Sequence, residues 1–588
     1  MVLRVGRERN APMKLSTIAL DYDGTIARND VVDPSVRDAI AVARARGITV
    51  LLVTGRILDE LRRVAGDLHF VDGVVAENGA VVHFPHSDHT SAIGPLLPSA
   101  FGPELRRRNV AHRAGACLVD ADAGVAPTLL EVIRTLELPL ALLFNAGRVM
   151  TLTQGVSKAT GLRAMLDMLR QSPHNMVAVG DAENDHTLLQ YAGLGAAVSW
   201  GSAALRAAAD VVIDGSGPPG VAAYIRMLAD SGRVPVPARA RRRLRLGYTN
   251  DGREFALAVR GRNVLVAGDA KSGKSWVAGL LCEQLILQGH CVCVIDPEGD
   301  YRSLEGLPGV TVLGGEEPPP SLRELLRALR YPDRSIVIDL SRLTQDAKIE
   351  YTRSVLPAIN KIRRDTGLPH RILLDEAHYF LHESDNRQLL DLETNGYIVV
   401  TYRASRLPKD LLAATEVIIV TRESNASEVE ALRQWCSTCT SVAPDRWSML
   451  SHLKTSQAVA LPITDEAGGD LRLFTLGPRL TPHVRHREKY VDVPVSEGRA
   501  FVFNADSQWA GRRVRTLREF IDVLDRSPNL DQYLSRNDFS RWIRDVFGDH
   551  ALAAELRAIE DRHRTMPSSE TGVEIANRVR ARYDLATS

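Results

Sequence analysis

The chain has 588 residues, of which 45% are hydrophobic and 25% are charged. This length is too great for one hydrophobic core, so we expect about three or four domains. The net charge is only +1, which excludes a global field that would draw the chain to nucleic acid or to a membrane surface. Binding of that kind would therefore need a local charged patch.

The apolar runs, the N-terminal residues and the cysteine count together indicate a cellular compartment. No apolar run reaches the roughly 18–20 residues that a membrane span needs. The basic residues 1–14 lack the apolar segment of a secretory signal, and we assign them to a leader. Six cysteines are few for this length, and we interpret Cys436 and Cys439 as ordinary thiols of a reducing compartment. We therefore expect a cytoplasmic protein with no membrane partner.

Polar side chains follow short apolar runs in residues 15–230, at the points where predicted strands end. Helical patterns separate these runs, which indicates a parallel α/β sheet whose ligands gather at the carboxyl ends of its strands. Carboxylates one residue apart at such an end favour a cation site or a reactive site. The polar residues are Asp21, Asp23, Thr54, Asp181, Asn184 and Asp185, and Lys158 lies in the segment GVSKATG.

In the order DYDGT, TGR, GVSKATG and GDAEND, these segments resemble the haloacid dehalogenase superfamily of phosphatases, in its Cof-like, capped branch. The resemblance implies that Asp21 is a nucleophile that forms an aspartyl-phosphate and that Asp23 is the acid/base. It implies that Thr54 binds the phosphoryl oxygens and that Lys158 offsets charge around Asp21. The metal residues that we assign for Mg²⁺ on this basis are Asp21, Asp23, Asp181 and Asp185, with Asn184 in support.

The same resemblance divides the segment into a phosphatase core at 15–79 and 156–230 and a cap at 80–155. The cap would select a phosphorylated small-molecule substrate. The chain reads Val198-Ser199-Trp200 where the Cof-like pattern has a small-Asn-Ala loop, so the resemblance implies the chemistry but does not fix the substrate. A degenerate domain that serves as a scaffold or sensor is the alternative.

Residues 231–260 begin with alternating prolines, which favours a stiff linker. They continue into a basic cluster, which is either a solvated linker or a contact for DNA or RNA. The cluster consists of Arg239, Arg241, Arg242, Arg243 and Arg245.

Residues 261–480 open with the apolar run 263–267 and the sequence GDAKSGKS, which fits the phosphate-binding pattern G-x-x-x-x-G-K-[ST]. Apolar residues at helical spacing follow, so the loop lies at a helix N-terminus, where backbone N–H groups and the helix dipole attract phosphate. Lys274 would bind the β and γ phosphates and Ser275 would hold Mg²⁺. The nucleotide-binding residues that we assign are Gly268, Asp269, Ala270, Lys271, Ser272, Gly273, Lys274, Ser275 and Asp375.

Further apolar runs follow the loop, and the run 371–374 ends in Asp375 and Glu376. Asp375 would support Mg²⁺ and Glu376 would polarise the attacking water, which favours ATP hydrolysis over transfer to a second substrate. The loop, DPEGDY, LLDEAH and TYRAS together resemble the HerA/FtsK-like ATPases. That resemblance implies a ring-shaped homo-oligomer, with Arg403 and Arg422 as candidates for an arginine that reaches a neighbouring protomer. Tyr402 stands where the group has a polar sensor.

Residues 490–588 are predicted to be mainly helical, and an aromatic stripe around Phe539 and Trp542 indicates a core. The expected fold is thus a multidomain α/β protein. It joins a Rossmannoid phosphatase sheet with a small α+β cap, a RecA-like P-loop sheet and a small helical domain. The expected function is bifunctional: Mg²⁺-dependent phosphomonoester hydrolysis and ATP binding or hydrolysis. A DNA-directed motor with an end-processing phosphatase and a polynucleotide kinase–phosphatase are the alternatives.

Overall fold

The structure is a computed structural model that forms two compact units, Met1–Arg241 and Arg242–Ser588. It describes residues 13–145, 147–236, 242–258, 262–381, 389–436, 442–461, 470–481, 495, 499–503, 511–526, 530–547 and 549–583. Most of the predicted leader, and Arg239, Arg241 and Cys439, lie outside these residues. Among the described residues, no helix has both the length and the apolar character that crossing a bilayer requires.

Within the described part of the first unit, eight strands form one sheet in the order β14-β13-β12-β1-β4-β5-β6-β7. The strands from β14 to β5 are parallel, and β1 is buried throughout, as expected for a strand covered on both faces. The strands of this unit are β1 (Thr17–Asp21), β2 (Ala27–Arg28), β3 (Val31–Val32), β4 (Thr49–Val53), β5 (Gly73–Ala76), β6 (Val81–Phe84), β7 (His89–Ala92), β8 (His112–Ala114), β9 (Leu118–Asp122), β10 (Leu140–Asn145), β11 (Arg148–Thr153), β12 (Met176–Gly180), β13 (Leu194–Val198) and β14 (Val211–Ile213).

Helices cover this sheet and the smaller cap sheet of order β10-β11-β9-β8. The helix after the cap begins with a capping box in which Ser157 and Thr160 exchange hydrogen bonds, so its first residue, Lys158, has a fixed position. The helices are α1 (Pro34–Ala45), α2 (Leu58–Ala65), α3 (Phe101–Arg107), α4 (Ala126–Thr135), α5 (Lys158–Leu169), α6 (His186–Tyr191), α7 (Ala203–Ala208) and α8 (Pro218–Ser231).

The start of the predicted cap differs from the expectation. Strands β6 and β7 fall within 80–155 but extend the core sheet as antiparallel strands. A tight turn with positive φ at Glu77 and Asn78 reverses the chain, so Val81 pairs with Ala76. The separate cap sheet therefore begins at β8.

In the second unit, eleven of the described strands form one sheet in the order β16-β15-β25-β24-β23-β17-β22-β21-β18-β20-β19, and β26 and β27 form a separate two-stranded sheet. The segment from β23 to β19 is parallel, and the other strands extend it as antiparallel neighbours. The strands are β15 (Leu244–Thr249), β16 (Glu254–Leu257), β17 (Asn263–Ala267), β18 (Val292–Asp296), β19 (Val310–Gly314), β20 (Ser335–Asp339), β21 (Arg371–Leu374), β22 (Tyr397–Thr401), β23 (Thr415–Val420), β24 (Gln457–Ala460), β25 (Arg472–Leu476), β26 (Phe501–Val502) and β27 (Arg513–Val514).

The helices of the second unit pack on both faces of this sheet and form the helical region near the carboxyl terminus. They are α9 (Lys274–Leu287), α10 (Leu322–Ala328), α11 (Gln345–Thr366), α12 (Lys409–Ala413), α13 (Ala426–Trp435), α14 (Pro444–Trp447), α15 (Leu517–Arg526), α16 (Asp531–Arg536), α17 (Asp538–Trp542), α18 (His550–Thr565) and α19 (Thr571–Tyr583).

The linker expected at 231–260 is corrected in its second half, because residues 244–257 form β15 and β16 at the edge of this sheet. Leu244 and Leu246 are buried while Arg245 is exposed, which is the alternation of a half-buried strand. The arginine run concealed this pattern. The thiol interpretation was also wrong for Cys436, which is disulfide-bonded.

The aromatic stripe of the helical region is confirmed as a core. Phe501, Phe520, Phe539 and Trp542 have ring centroids 5.0–6.0 Å apart. Phe539 is fully buried, so it contributes packing rather than a ligand contact.

Replacing Phe539 with alanine is expected to destabilise the helical region by about 3–5 kcal/mol, because a buried aromatic side chain leaves a cavity. Thermal unfolding followed by near-ultraviolet circular dichroism measures the loss. Val573→Ala, at an exposed position of α19, is the control. Equal melting temperatures of the two variants would contradict the core assignment.

Candidate functional sites

The strand ends of the first unit bring the predicted residues together. Asp21 ends β1 and is in register with Val53 of β4, so Thr54 continues beside it. On the other side β12 ends at Gly180, and Asp181 follows. The carboxyl ends of three neighbouring parallel strands thus deliver the candidate nucleophile, hydroxyl and metal ligand to one place.

Lys158 lies between two carboxylates at this place. Its Nζ donates hydrogen bonds of 2.5 Å to Asp21 Oδ1 and 2.6 Å to Asp185 Oδ1. All three side chains are at least nine-tenths buried, so each charge needs a partner. Burial lowers the pKa of Lys158, but the carboxylates of Asp185 and Asp21 raise it by more, which keeps the ammonium charged.

Asp21, Asp181 and Asp185 form a carboxylate cluster, in which one oxygen from each lies within 4.8 Å of the others. Burial, and then the charge of Asp185, raises the pKa of Asp21 well above its ordinary value and that of Asp181 to about 6. A cation would relieve this repulsion, and three carboxylate oxygens are a donor set that suits Mg²⁺. The residues present therefore fit a divalent cation.

The side chain of Asp23, which we also predicted as a metal ligand, is not one of the three that form the carboxylate cluster. Arg56 binds it with two hydrogen bonds, 2.8 Å from Nε to Oδ2 and 2.6 Å from NH2 to Oδ1, and also binds Asp30. The side chain of Asp23 is half exposed. Its position suits a group that meets solvent and a leaving group better than it suits a buried ligand. Sequence reasoning missed the role of Arg56, although the TGR segment contained it.

Thr54 and Trp200 shape the surroundings of Asp21. The Thr54 hydroxyl is buried and accepts a 3.1 Å hydrogen bond from the backbone N–H of Arg56. Trp200 Nε1 donates a 2.7 Å hydrogen bond to the carbonyl of Gly24, which lies in the loop that follows Asp21. A Cβ at Gly24 would lie 2.2 Å from Asp181 Oδ2, so only glycine lets these two loops meet.

The cap is tied to the core by a buried carboxylate. Glu77 accepts hydrogen bonds from the backbone N–H groups of Ala116 at 3.1 Å and Cys117 at 2.8 Å. Burial raises its pKa, and these hydrogen bonds partly offset the rise. Arg113 of the cap also pairs with Glu60 of α2. The two contacts fix the cap residues that follow β8 over the core.

In the second unit, the predicted loop connects β17 to the N-terminus of α9, as expected. Gly268, Lys271 and Gly273 have φ values of 147°, 58° and 105°, so the loop turns through left-handed positions. Lys274 Nζ donates a 2.8 Å hydrogen bond to the carbonyl of Asp269. Backbone N–H groups at the start of a long helix, as at α9, are an arrangement that can bind an anion.

Two side chains of the loop bind the segment after β23 rather than the space for a ligand. The Asp269 carboxylate accepts a 2.7 Å hydrogen bond from the Ser424 hydroxyl and lies 3.6 Å from Arg422 Nε. Ser272 Oγ donates a 2.7 Å hydrogen bond to the carbonyl of Asp269 and lies 2.6 Å from Thr421 Oγ1. These contacts hold the shape of the loop, and Ala270 is buried beside them.

Ser275 binds a carboxylate that we did not predict. Its Oγ donates a 2.6 Å hydrogen bond to Asp300 Oδ2. The Asp296 carboxylate accepts N–H groups from the four residues 298–301, at 2.7–3.2 Å, and so fixes the turn that returns Asp300 to α9. The DPEGDY segment was the signal for Asp300. Hydroxyl and carboxylate oxygens here fit the Mg²⁺ that accompanies ATP.

Asp375 and Glu376 follow β21 and are both buried. Glu376 has a φ of 46°, and its backbone N–H donates a 2.9 Å hydrogen bond to Asp375 Oδ1. His378 Nδ1 lies 3.0 Å from Thr401 Oγ1. Burial, and then the charge of Arg403, holds the pKa of His378 well below its ordinary value, so the imidazole is neutral.

Strand β22 lies between β17 and β21, so its end lies between the loop and Asp375. Tyr402 follows that end, with its ring centroid 5.8 Å from Lys274 Nζ. Arg403 is buried and donates to the carbonyls of Arg544 and Asp545 within the same chain. These contacts engage Arg403 in cis.

Comparison with known proteins finds a family match in each unit. Residues 18–93 and 144–225 match the family of haloacid dehalogenase-like hydrolases, and the gap between them covers most of the cap. Residues 259–355, which hold the loop and Asp300, match the central domain of the helicase HerA.

Two similar relatives are both named phosphoglycolate phosphatase. The one from Methanopyrus kandleri is 30% identical over 37% of this chain and 97% of its own length. The one from Natronomonas pharaonis is 34% identical over 34% of this chain and 92% of its own length. A solved haloacid dehalogenase-like hydrolase from Bacteroides thetaiotaomicron covers 37% of this chain and 100% of its own, at 18% identity and a TM-score of 0.33.

The match with the first relative spans 97% of that protein's length. The residues that match the hydrolase family include Asp21, Thr54, Lys158 and Asp181. The chain therefore belongs, through its first unit, to the haloacid dehalogenase-like hydrolases, and it carries a HerA-like domain in its second unit.

Proposed function

We propose that the first unit hydrolyses phosphomonoesters through Asp21. The observation that carries this proposal is the buried contact of Lys158 Nζ with Asp21 and Asp185. A carboxylate attacks a phosphate dianion poorly unless positive charge offsets the repulsion between them. Lys158 supplies part of that charge next to Asp21, and bound Mg²⁺ would supply the rest by polarising the phosphoryl oxygens.

The proposed reaction has two steps. Asp21 attacks phosphorus and the ester P–O bond breaks, while Asp23 gives a proton to the departing alkoxide. Asp23 then takes a proton from water, which attacks phosphorus of the aspartyl-phosphate and releases inorganic phosphate and the Asp21 carboxylate. Arg56 holds Asp23 at the exposed side of the site, where a leaving group and water both arrive.

The substrate that we propose is a small phosphorylated metabolite, with phosphoglycolate as the first candidate because two relatives carry that name. Sugar phosphates and DNA 3′-phosphates are the other classes to compare. A turnover screen across these three classes decides between a metabolic role and processing of nucleic-acid ends.

We also propose that the second unit binds and hydrolyses ATP. Lys274 and Ser275 would bind the phosphates and Mg²⁺, Asp375 would support the metal, and Glu376 would polarise water. The left-handed loop at the start of α9 supports binding, and a buried carboxylate directly after Asp375 supports hydrolysis.

The match to the HerA central domain favours a DNA-directed motor as a second candidate for this unit. DNA or RNA binding by the basic residues at 239–245, a ring-shaped homo-oligomer with Arg422 in trans, and a cytoplasmic location all stay predictions. Stimulation of ATP hydrolysis by DNA would favour the motor, and phosphorylation of a DNA 5′-hydroxyl would favour the kinase–phosphatase alternative.

Asp21→Asn is expected to lower phosphomonoester turnover by at least about a thousandfold, because an amide cannot form the acyl-phosphate. Release of phosphate from phosphoglycolate with Mg²⁺ measures the effect. Asp59→Asn, at an exposed position of α2, is the matched control. Persistent turnover in Asp21→Asn would place the nucleophile elsewhere.

Mg²⁺ is expected to raise the melting temperature of the first unit without substrate, because it neutralises the carboxylate cluster. Asp181→Asn removes one ligand and should remove most of this shift, whereas Asp59→Asn should keep it. Differential scanning calorimetry with and without chelator measures the shift. Equal shifts in the two variants would contradict the assigned metal site.

Lys274→Ala is expected to abolish stabilisation by Mg-ATP, which should reach about 2.7 kcal/mol in the native protein at a hundred times the dissociation constant. Glu376→Gln should keep that stabilisation and lose hydrolysis. Calorimetry and phosphate release separate the two effects. Unchanged stabilisation in Lys274→Ala would show that ATP binds elsewhere.

A further inference from the structure

Lys271 has an unusual conformation within the phosphate-binding loop. Of the loop residues 268–275, all of which the structure describes, it is the one non-glycine with positive φ, at 58°. Such a conformation disfavours a side-chain-bearing residue by a factor of about five or more. Contacts that favour this conformation of Lys271 would offset its cost. The conformation matters for binding because an anion-binding concavity needs successive N–H groups turned to one side.

The carboxyl end of α19 makes the contacts that hold it. Lys271 Nζ donates a 2.8 Å hydrogen bond to the carbonyl of Arg582. The same ammonium lies 3.9 Å from the ring centroid of Tyr583, a distance at which a cation and an aromatic face attract. A helix end that carries partial negative charge also favours a cation.

The carboxylate of Asp549 holds the end of α19 through hydrogen bonds. It accepts hydrogen bonds of 2.8 Å and 3.0 Å from the Arg582 guanidinium and 3.3 Å from the Tyr583 hydroxyl. It also accepts the N–H of Leu552 at 3.1 Å and so caps α18. Asp549 is fully buried, so the carbonyl and the ring that face Lys271 have little freedom to move.

A second part of the same site touches the helical region independently. Arg403, after β22, donates hydrogen bonds of 2.8 Å and 2.6 Å to the carbonyls of Arg544 and Asp545. These carbonyls lie in a π-helical turn, Ile543–Phe547, and π turns expose backbone acceptors of this kind. The helical region thus meets both the loop and the strand end beside it.

We propose that the helical region completes the nucleotide site: the end of α19, acting through Lys271, holds the phosphate-binding loop in its binding conformation. Lys271 and Tyr583 are positioning residues, and ATP affinity depends on the docking of α19. This inference rests on the proposed ATP binding. It assigns the helical region to nucleotide binding, beyond the packing role that its aromatic core shows.

The test exploits the tolerance of glycine for positive φ. Lys271→Met keeps the conformational penalty but loses the ammonium, so Mg-ATP binding should weaken about fivefold. Lys271→Gly loses both the contact and the penalty, so it should bind Mg-ATP about fivefold more tightly than Lys271→Met. Lys271 is exposed, so neither change threatens the core.

Tyr583→Leu provides the other half of a double-mutant cycle. It keeps apolar volume at a buried position but removes the aromatic face, and it should weaken binding about as much as Lys271→Met. In the Lys271→Gly background it should change nothing. Val573→Ala, on an exposed turn of the same helix, is the control and should bind normally.

Titration calorimetry of the full chain with Mg-ATP measures all of these affinities. Normal binding by Lys271→Met, or an equal loss from Tyr583→Leu with and without Lys271→Gly, would overturn the proposal. Should Tyr583→Leu fail to fold, the comparison of Lys271→Met with Lys271→Gly decides alone. A native chain with no Lys274-dependent binding would instead reject the ATP site itself, together with this inference.

Discussion

The buried ammonium of Lys158, held between Asp21 and Asp185, is the contact on which the site of the first unit depends. Parallel strands deliver several carboxylates to one buried place, and their mutual repulsion raises the pKa values of Asp21 and Asp181. Breaking a buried pair of this kind costs about 3–5 kcal/mol, because it leaves a charge without compensation. The capping box at the start of α5 fixes the position of Lys158, so local helix chemistry and catalytic electrostatics depend on the same few residues.

The proposed nucleotide site of the second unit has the opposite electrostatic requirement, because it would have to attract negative phosphate. Backbone N–H groups at the start of α9 would contribute that attraction together with the buried Lys274. One carboxylate positions another: hydrogen bonds to Asp296 fix the turn that places Asp300 beside Ser275. In the proposed site, the contacts of Lys271 with the end of α19 offset the conformational cost at Lys271 and so link the loop to the helical region.

Much of the architecture follows from the sequence. Apolar runs of strand length at 73–76, 263–267 and 371–374 coincide with β5, β17 and β21, because a strand buried on both faces leaves an uninterrupted pattern. In the first unit, the residues at the carboxyl ends of β1, β4 and β12 lie close together, since neighbouring parallel strands end at one edge of a sheet. The fold class and the core role of the aromatic stripe are confirmed.

What the sequence did not show depends on side-chain direction and on distant contacts. The sequence did not announce the pairing of Arg56 with the side chain of Asp23, and the assignment of Asp23 as a metal ligand stays a prediction. The arginines at 243 and 245 concealed the second strand from the sheet edge, whose buried leucines alternate with them. Lys271 contacts Arg582 and Tyr583, which lie 311 and 312 positions later in the chain. No local sequence pattern predicts contacts over such a separation.

The central claim is that Asp21 carries the phosphoryl group during turnover. Acid quenching of the full chain during steady-state hydrolysis, followed by proteolysis and mass spectrometry, measures this directly. We expect a phosphoryl group on the peptide that contains Asp21 in the native chain, and no phosphoryl group on that peptide in Asp21→Asn. A phosphorylated peptide from another part of the chain, or rapid turnover with no phosphorylated intermediate under conditions that preserve acyl-phosphates, would contradict it.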